Sequence, residues 1–326
     1  MDFSHPTPPL GRMEINRYLY NPSFKILLKM NNKLKLAGAA FLLFAATACK
    51  KTSTEAPPTT AAPLVIEEND PLYLGNPTNA RLSAEFSENY LMREIGYSEA
   101  YSASRGIPVW VAWHLQTEDQ GPVSRQDDFR ENPRLPASYY DVRTSDYTAN
   151  FDKGHNCPSE DRTNTVAANS STFLMTNMIP QAPRFNQGPW ADMESYIRTQ
   201  VLPNNEAYIY MGNYGAGGKG NSGVEFTTIG FGNVTVPKMV YKIVVIMPKG
   251  TDDRNRIDTS ARVLAVDMPN DNTLYGASGA NSLWRSYMVP IDSIEARLAR
   301  AGRPHNFLTE VAKPDVRTYL KKKASR

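Results

Sequence analysis

The chain has four histidines and two cysteines, so it holds little imidazole or thiol chemistry. One of each lies in residues 151–158, FDKGHNCP, where His155 stands two residues before Cys157. On a strand the two side chains would share a face, the spacing of a thiol activated by an imidazole. Nothing in the sequence supplies a third group to orient the histidine, and Cys157 reads instead as a small packing residue. A second segment, TNMIPQAPRFNQGPW at 176–190, runs on to Glu194 and Arg198. Taken alone, its Asn-Gln-Gly-Pro is a turn that caps a helix, and Glu194 with Arg198 is an ordinary i,i+4 surface pair. A third segment, GNYGAGGKGNSG at 212–223, invites a phosphate-loop reading and fails it twice. Asn213 stands where the first glycine belongs, and Gly220 where Ser or Thr belongs. It reads as a flexible strand-to-strand loop that could lie over a substrate groove.

The elements that must position these residues form a mixed pattern. Of 326 residues, 41% are hydrophobic and 21% charged, enough for a packed core and against global disorder. Two cysteines exclude a disulfide scaffold and a multi-cysteine zinc site. No apolar run reaches the ~20 residues of a spanning helix. Residues 108–115, 207–211, 240–247 and 261–266 read as strands, and 82–90 open an irregular segment. A helix is expected over 186–201, with Gly188-Pro189 at its opening and Trp190, Met193, Ile197 and Val201 on one apolar face. Trp190, Glu194 and Arg198 step by four, so Trp190 should pack inward while the other two edge a groove. Later helices are expected at 293–301 and 307–323. No linker or repeat interrupts 72–320. Strands outnumber crossover helices, which predicts an α+β fold with an antiparallel-rich central sheet rather than a doubly wound one.

Together, the first two segments resemble the Asp-Arg-Gly-His and Asn-x-x-Pro-Gln…Asn-Gln-Gly-x-Trp-x-x-x-Glu signatures of a known family. These are the DNA/RNA non-specific endonucleases, the Serratia-nuclease-like branch of the His-Me finger (ββα-metal) nucleases. Further fragments agree: LGNPTNA at 74–80, WVAWHL at 110–115, Arg125 in SRQDDFREN, and VPKMVYKIVV at 236–245. The resemblance implies a sheet flanked by helices with a ββα-metal motif. It also implies a metal-dependent, sugar-non-specific endonuclease that cuts DNA and RNA to 5′-phosphate products.

Residue by residue, His155 matches the general base, a role open to an imidazole whose unperturbed pKa is ~6.5. Asn186 matches the one direct protein ligand of the catalytic Mg²⁺, with Mn²⁺ the other candidate. A cation that keeps several waters tolerates a single neutral ligand. Glu194 matches the carboxylate that holds metal-bound waters, and Asn177 a second asparagine of the catalytic set. Arg125 and Arg198 match phosphate-binding arginines, whose planar fork suits a phosphodiester. Asp152 matches the first motif residue, a positioning group behind the site. Lys153 departs from the pattern, standing where the family usually has arginine. It keeps the charge and loses the bidentate fork. A reading of a different class stays open: a surface-anchored nucleic-acid-binding lipoprotein whose nuclease fold is catalytically impaired.

The N-terminal part is read separately. Residues 1–49 hold 6 Lys/Arg against 2 Asp/Glu. The rest is near neutral, so an anionic substrate must be met by a local cluster. Lys33 and Lys35 precede an apolar run over 36–48 that ends Ala46-Thr47-Ala48-Cys49. This reads as an export signal, and small residues before a cysteine resemble a bacterial lipobox, which implies lipidation of Cys49. An ordinary signal cut near Ala48 is the other reading. The expected organisation is an over-called extension at 1–29, the signal at 30–49, a Thr/Pro/Ala-rich tether at 50–70 and the nuclease domain at 71–326. Lys50 after the cysteine favours the outer membrane by the same resemblance, facing the periplasm or the cell surface, with the lipid anchor as the only membrane contact.

Overall fold

The computed structural model describes residues 66–148, 150–276 and 283–323. The expected extension, signal, Cys49 and tether residues 50–65 lie outside the described residues. Residues 66–70 belong to the fold rather than to a tether. Asp70 takes the guanidinium of Arg93. Glu68 accepts from the Tyr73 hydroxyl (3.1 Å) and from the backbone N–H of Asp252 (2.9 Å) and Asp253 (3.1 Å).

In chain order the strands are β1 (Tyr90–Glu94), β2 (Tyr97–Ser102), β3 (Ile107–Leu115), β4 (Asp152–His155), β5 (Met178–Gln181), β6 (Asn205–Tyr214), β7 (Gly218–Lys219), β8 (Glu225–Phe226), β9 (Thr228–Ile229), β10 (Val234–Thr235), β11 (Met239–Pro248) and β12 (Arg262–Pro269). The helices are α1 (Val166–Ser171), α2 (Pro183–Phe185), α3 (Ala191–Val201), α4 (Asp253–Arg256), α5 (Ile291–Arg300) and α6 (Pro314–Lys322). Six strands form one antiparallel sheet in the order β1-β2-β3-β6-β11-β12. The four strands expected from sequence are its β3, β6, β11 and β12. The β1–β2 hairpin was not expected. It turns through Ile95-Gly96, and Gly96 has φ +84°. Its strands hide from a hydrophobic pattern because β2 buries Ser98, Glu99 and Ser102 beside Tyr97 and Tyr101.

The expected helix over 186–201 is regular only from Ala191. Asn186–Trp190 is a wider, π-type turn, with Gly188 at φ −105°, ψ −111° and Pro189 inside it. Proline has no N–H to continue the ladder, and such widened turns occur often at functional sites. The helix expected over 307–323 shortens to α6. Leu308 sits at φ +59°, and Pro314 opens the helix with its fixed φ. The glycine-rich stretch at 212–223 is more ordered than a flexible loop. Residues 212–214 complete β6, and Gly218–Lys219 pair with Glu225–Phe226.

Both faces of the sheet are covered. One face presents Val111, Trp113, Ile209, Met211, Val244 and Leu264, and carries β4, β5 and α3. The other presents Trp110, Tyr208, Tyr210, Tyr241 and Ile243, and is covered by residues 72–80, α5 and α6. β4 and β5 pair antiparallel from Asp152↔Gln181 to His155↔Met178. With α3 they form a ββα unit. Met178, Ile179, Phe185, Trp190, Met193, Ile197 and Val201 are all buried where it meets the sheet. Each such side chain contributes roughly 1.5–3 kcal/mol on burial.

The closeness of the central strands can be tested at Gly212 of β6. A Cβ there would lie 2.3 Å from the Tyr241 hydroxyl and 2.6 Å from the Val109 carbonyl oxygen. Gly212→Ala is expected to cost about 1–3 kcal/mol through overpacking. Urea denaturation should show a lower midpoint at an unchanged slope; an unchanged midpoint would contradict this packing.

Candidate active site

β4 alternates its side chains, so Lys153 and His155 point one way. Gly154 between them lies against Gln181, whose Oε1 would be 1.9 Å from an added Cβ. Only glycine lets β4 approach so closely. Asn177 is fully buried and does not reach the site. Its Oδ1 accepts from Cys157 N–H (3.0 Å), and its Nδ2 donates to the carbonyls of Cys157 (2.9 Å) and Thr172 (2.8 Å). Both amide hydrogens are engaged. Asn177 therefore clamps the chain just after His155, which corrects its expected place in the catalytic set. Cys157 is buried, and burial raises its thiol pKa. It is a packing residue rather than a nucleophile.

A cavity of about 280 Å³ is lined by Arg125, Lys153, His155, Asn186, Glu194 and Arg198 among others. A second cavity shares Arg125, Lys153 and Asn186 and adds Tyr147, Phe151 and Asp152. The two make one groove. The His155 ring meets Phe129 and Phe173 edge to face, with centroids 5.6 and 4.9 Å away. Its Nε2 is buried and has no hydrogen-bond partner among the described residues, which points to Nδ1 as the ring nitrogen that meets the cavity. Burial first, and then the Arg125 and Lys153 charges, push its pKa down to about 3. A base acting here carries its proton on Nε2 and its lone pair on Nδ1.

Asn186 and Gln187 both donate to the same oxygen of Asp152, at 2.9 and 2.8 Å. A carboxylate only accepts, so Asp152 takes the amide hydrogens and turns Asn186 Oδ1 away from itself. Glu194 accepts from Lys242 Nζ at 2.7 Å. Lys242 is buried in β11, with Nζ 4.5 Å from the Trp190 ring centre and 5.5 Å from that of Trp113. Burial raises the Glu194 pKa, and Lys242 and Arg198 oppose the rise. The sequence reading missed Lys242, although a single charge inside VYKIVVIM was the available signal.

The three cations differ. Lys153 Nζ lies 4.9 Å from the Phe129 ring centre and pairs with no carboxylate among the described residues. Arg125 stacks on Phe173 at 4.8 Å and donates to Asp127 (2.6 Å) and Ser159 (2.9 Å). Arg198 reaches the cavity but is held by two carboxylates, donating to Asp161 (3.0 Å) and to Glu160. A phosphate must compete with both for it. A separate cluster of His114, Glu206 and Asp253 lies on the opposite face of the sheet, with potential ligand atoms within 4.8 Å of one another. Arg256 already pairs with both of its carboxylates.

Two outcomes follow from these electrostatics. His155 should stay neutral between about pH 5 and 8, and an imidazole NMR titration near 6.5 would contradict the site. Its folded pKa lies below the unfolded value, so its contribution to stability is complete above the unfolded pKa and is lost as pH falls toward 3. Lys242→Met should raise the Glu194 pKa further, move the acid limb of activity to higher pH, and cost about 3–5 kcal/mol as a broken buried pair. Urea denaturation and a pH–rate profile measure both effects, and Lys242→Arg should recover part of each.

Known proteins resemble this chain in sequence and in fold. Residues 75–313 match the DNA/RNA non-specific endonuclease family. A nuclease from Nostoc sp. is 36% identical over 287 residues, covering 88% of this chain and 96% of that protein. Human mitochondrial endonuclease G is 29% identical over 209 residues, 60% of this chain and 66% of that one. The crystal structure of the EndoG/EndoGI complex superposes with a TM-score of 0.57 at 21% identity, covering 76% of this chain and 92% of that chain, which shows a common fold. With its family signature and its ββα unit in place, the chain belongs to the DNA/RNA non-specific endonuclease family and is a nuclease.

Proposed function

We propose that this nuclease is a metal-dependent, sugar-non-specific endonuclease that hydrolyses DNA and RNA phosphodiesters to 5′-phosphate products. One observation carries the reading. An imidazole held toward its neutral form, three cations, a carboxamide and a carboxylate meet in one groove. His155 takes the proton of the attacking water at Nδ1, a general-base role that contributes typically ~10²–10⁴-fold. Lys153 and Arg125 bind the phosphate oxygens and stabilise the charge that grows on them. Lys153 does this as a point charge, at some loss of rate against an arginine fork. Arg198 acts from the edge of the cavity, tempered by Asp161 and Glu160.

Asn186 Oδ1 and the Glu194 carboxylate make a hard, all-oxygen donor set that fits Mg²⁺ or Mn²⁺ rather than a thiophilic ion. Bound there, such an ion supplies Lewis-acid stabilisation of the phosphate and the leaving oxygen. Asp152 and Lys242 keep these two donors turned into the groove. Contacts directed at backbone phosphate carry little sequence information, and binding should weaken with salt as counterions are released. Export through 30–49, lipidation at Cys49 and outer-membrane anchoring complete the proposal and rest on the N-terminal sequence.

His155→Ala should abolish Mg²⁺-dependent cleavage of plasmid and of RNA with thermal melting unchanged, and near-normal turnover would remove His155 from the mechanism. Asn186→Ala should lose the response to Mg²⁺; an unaltered metal dependence would contradict its ligand role. Binding without cleavage in every divalent ion would favour the impaired-nuclease reading.

A further inference from the structure

We infer that Phe226 and Phe231 form an aromatic subsite at the far end of the groove that stacks unpaired bases of a single-stranded substrate. The inference rests on the nuclease reading of the same groove. From His155 the groove passes Lys153 and Asn186 to a wall that includes Tyr147, Thr148 and Phe151. Two exposed rings are tied to the segment that forms this wall. Phe226 of β8 stands edge-on to Phe151, with centroids 6.1 Å apart, and is 38% exposed. Phe231 follows Gly230, which packs on Asp146 next to Tyr147; a Cβ at Gly230 would lie 2.8 Å from Asp146 Cβ.

Phe231 is 105% exposed, so no packing holds its ring. Yet its backbone sits at φ +56°, ψ +28°, between Gly230 at φ +57° and Gly232 at φ +95°. Glycine adopts these values freely; phenylalanine does so only at a cost. The turn is held by Asn233, whose N–H and Nδ2 both donate to the Gly230 carbonyl at 3.1 and 3.0 Å. A solvent-facing ring held in a costly conformation gains nothing from the fold and points to a ligand.

The ligand chemistry follows from the rings. Phenylalanine has no hydrogen-bonding group, so it reads the π-face of a base and not its edge. Every base has that face, which suits an enzyme without sequence preference. In a duplex the faces are covered by neighbouring pairs, so the rings reach only unpaired bases. Arg125 and Lys153 lie along the same groove to hold the backbone.

The test uses His155→Ala protein without divalent ions, with binding read by fluorescence anisotropy. The ligands are a single-stranded DNA dodecamer, its duplex, and an abasic strand of equal length. Replacing both rings by alanine should weaken single-strand binding by about tenfold per ring (~1.4 kcal/mol each, within the range of base stacking). Duplex and abasic binding should stay within about twofold by the same argument. A Phe231→Trp reporter should be quenched by the single strand and not by the duplex. Unchanged single-strand affinity, or an equal loss on the abasic strand, would overturn the inference. So would a tryptophan blue shift on phosphatidylglycerol vesicles without quenching by DNA, which would assign the rings to a membrane. Wild-type protein that cleaves neither plasmid nor RNA would defeat the nuclease reading instead, so the two failures are separable.

Discussion

A lysine ammonium buried inside an inner strand of a sheet must find a counter-charge, because an unpaired one costs several kcal/mol. Lys242 of β11 is in that position. Glu194 answers it from α3, and Trp190 and Trp113 close over the pair. The ion pair therefore fixes how α3 is rotated against the sheet. The wide turn that leads into α3 then carries Asn186 to Asp152 of β4. β4 is held in turn by β5 and by the buried amide of Asn177. One chain of constraint links the sheet core to His155.

Two one-way hydrogen-bonding partners orient the oxygen donors. The Asp152 carboxylate can only accept and takes the amide hydrogens of Asn186. The Lys242 ammonium can only donate and takes one oxygen of Glu194. Each leaves another oxygen for the groove. Arg125 and Lys153 do double service. They suit a phosphodiester, and their charges also help keep the imidazole unprotonated. On the proposed reading, a bound phosphate that neutralised them would raise the basicity of His155.

Much of this was legible in the sequence, for identifiable reasons. β3, β6, β11 and β12 are buried apolar runs that announce themselves, whereas β2 buries Ser98, Glu99 and Ser102 and β1 buries only Leu91 and Met92, so neither does. The apolar face of α3 was readable from its period. The widening at Gly188-Pro189 was not, because it depends on a missing donor rather than on hydrophobicity. The motifs named His155, Lys153, Asn186, Glu194, Arg125 and Arg198, and all six line one cavity. A motif gives identity but not direction, so the inward turn of Asn177 stayed hidden. The partners of Glu194 and Arg198 come from segments far along the chain, Lys242 and the Glu160-Asp161 turn, where no local pattern reaches.

The most direct test of the arrangement is anomalous diffraction from crystals of His155→Ala protein grown with Mn²⁺ and a short single-stranded oligonucleotide. The account predicts a manganese peak at ligand distance from Asn186 Oδ1, on the groove side, with Glu194 turned toward it and a phosphate between the ion and position 155. A peak at His114, Glu206 and Asp253 on the opposite face of the sheet, with none beside Asn186, would contradict it.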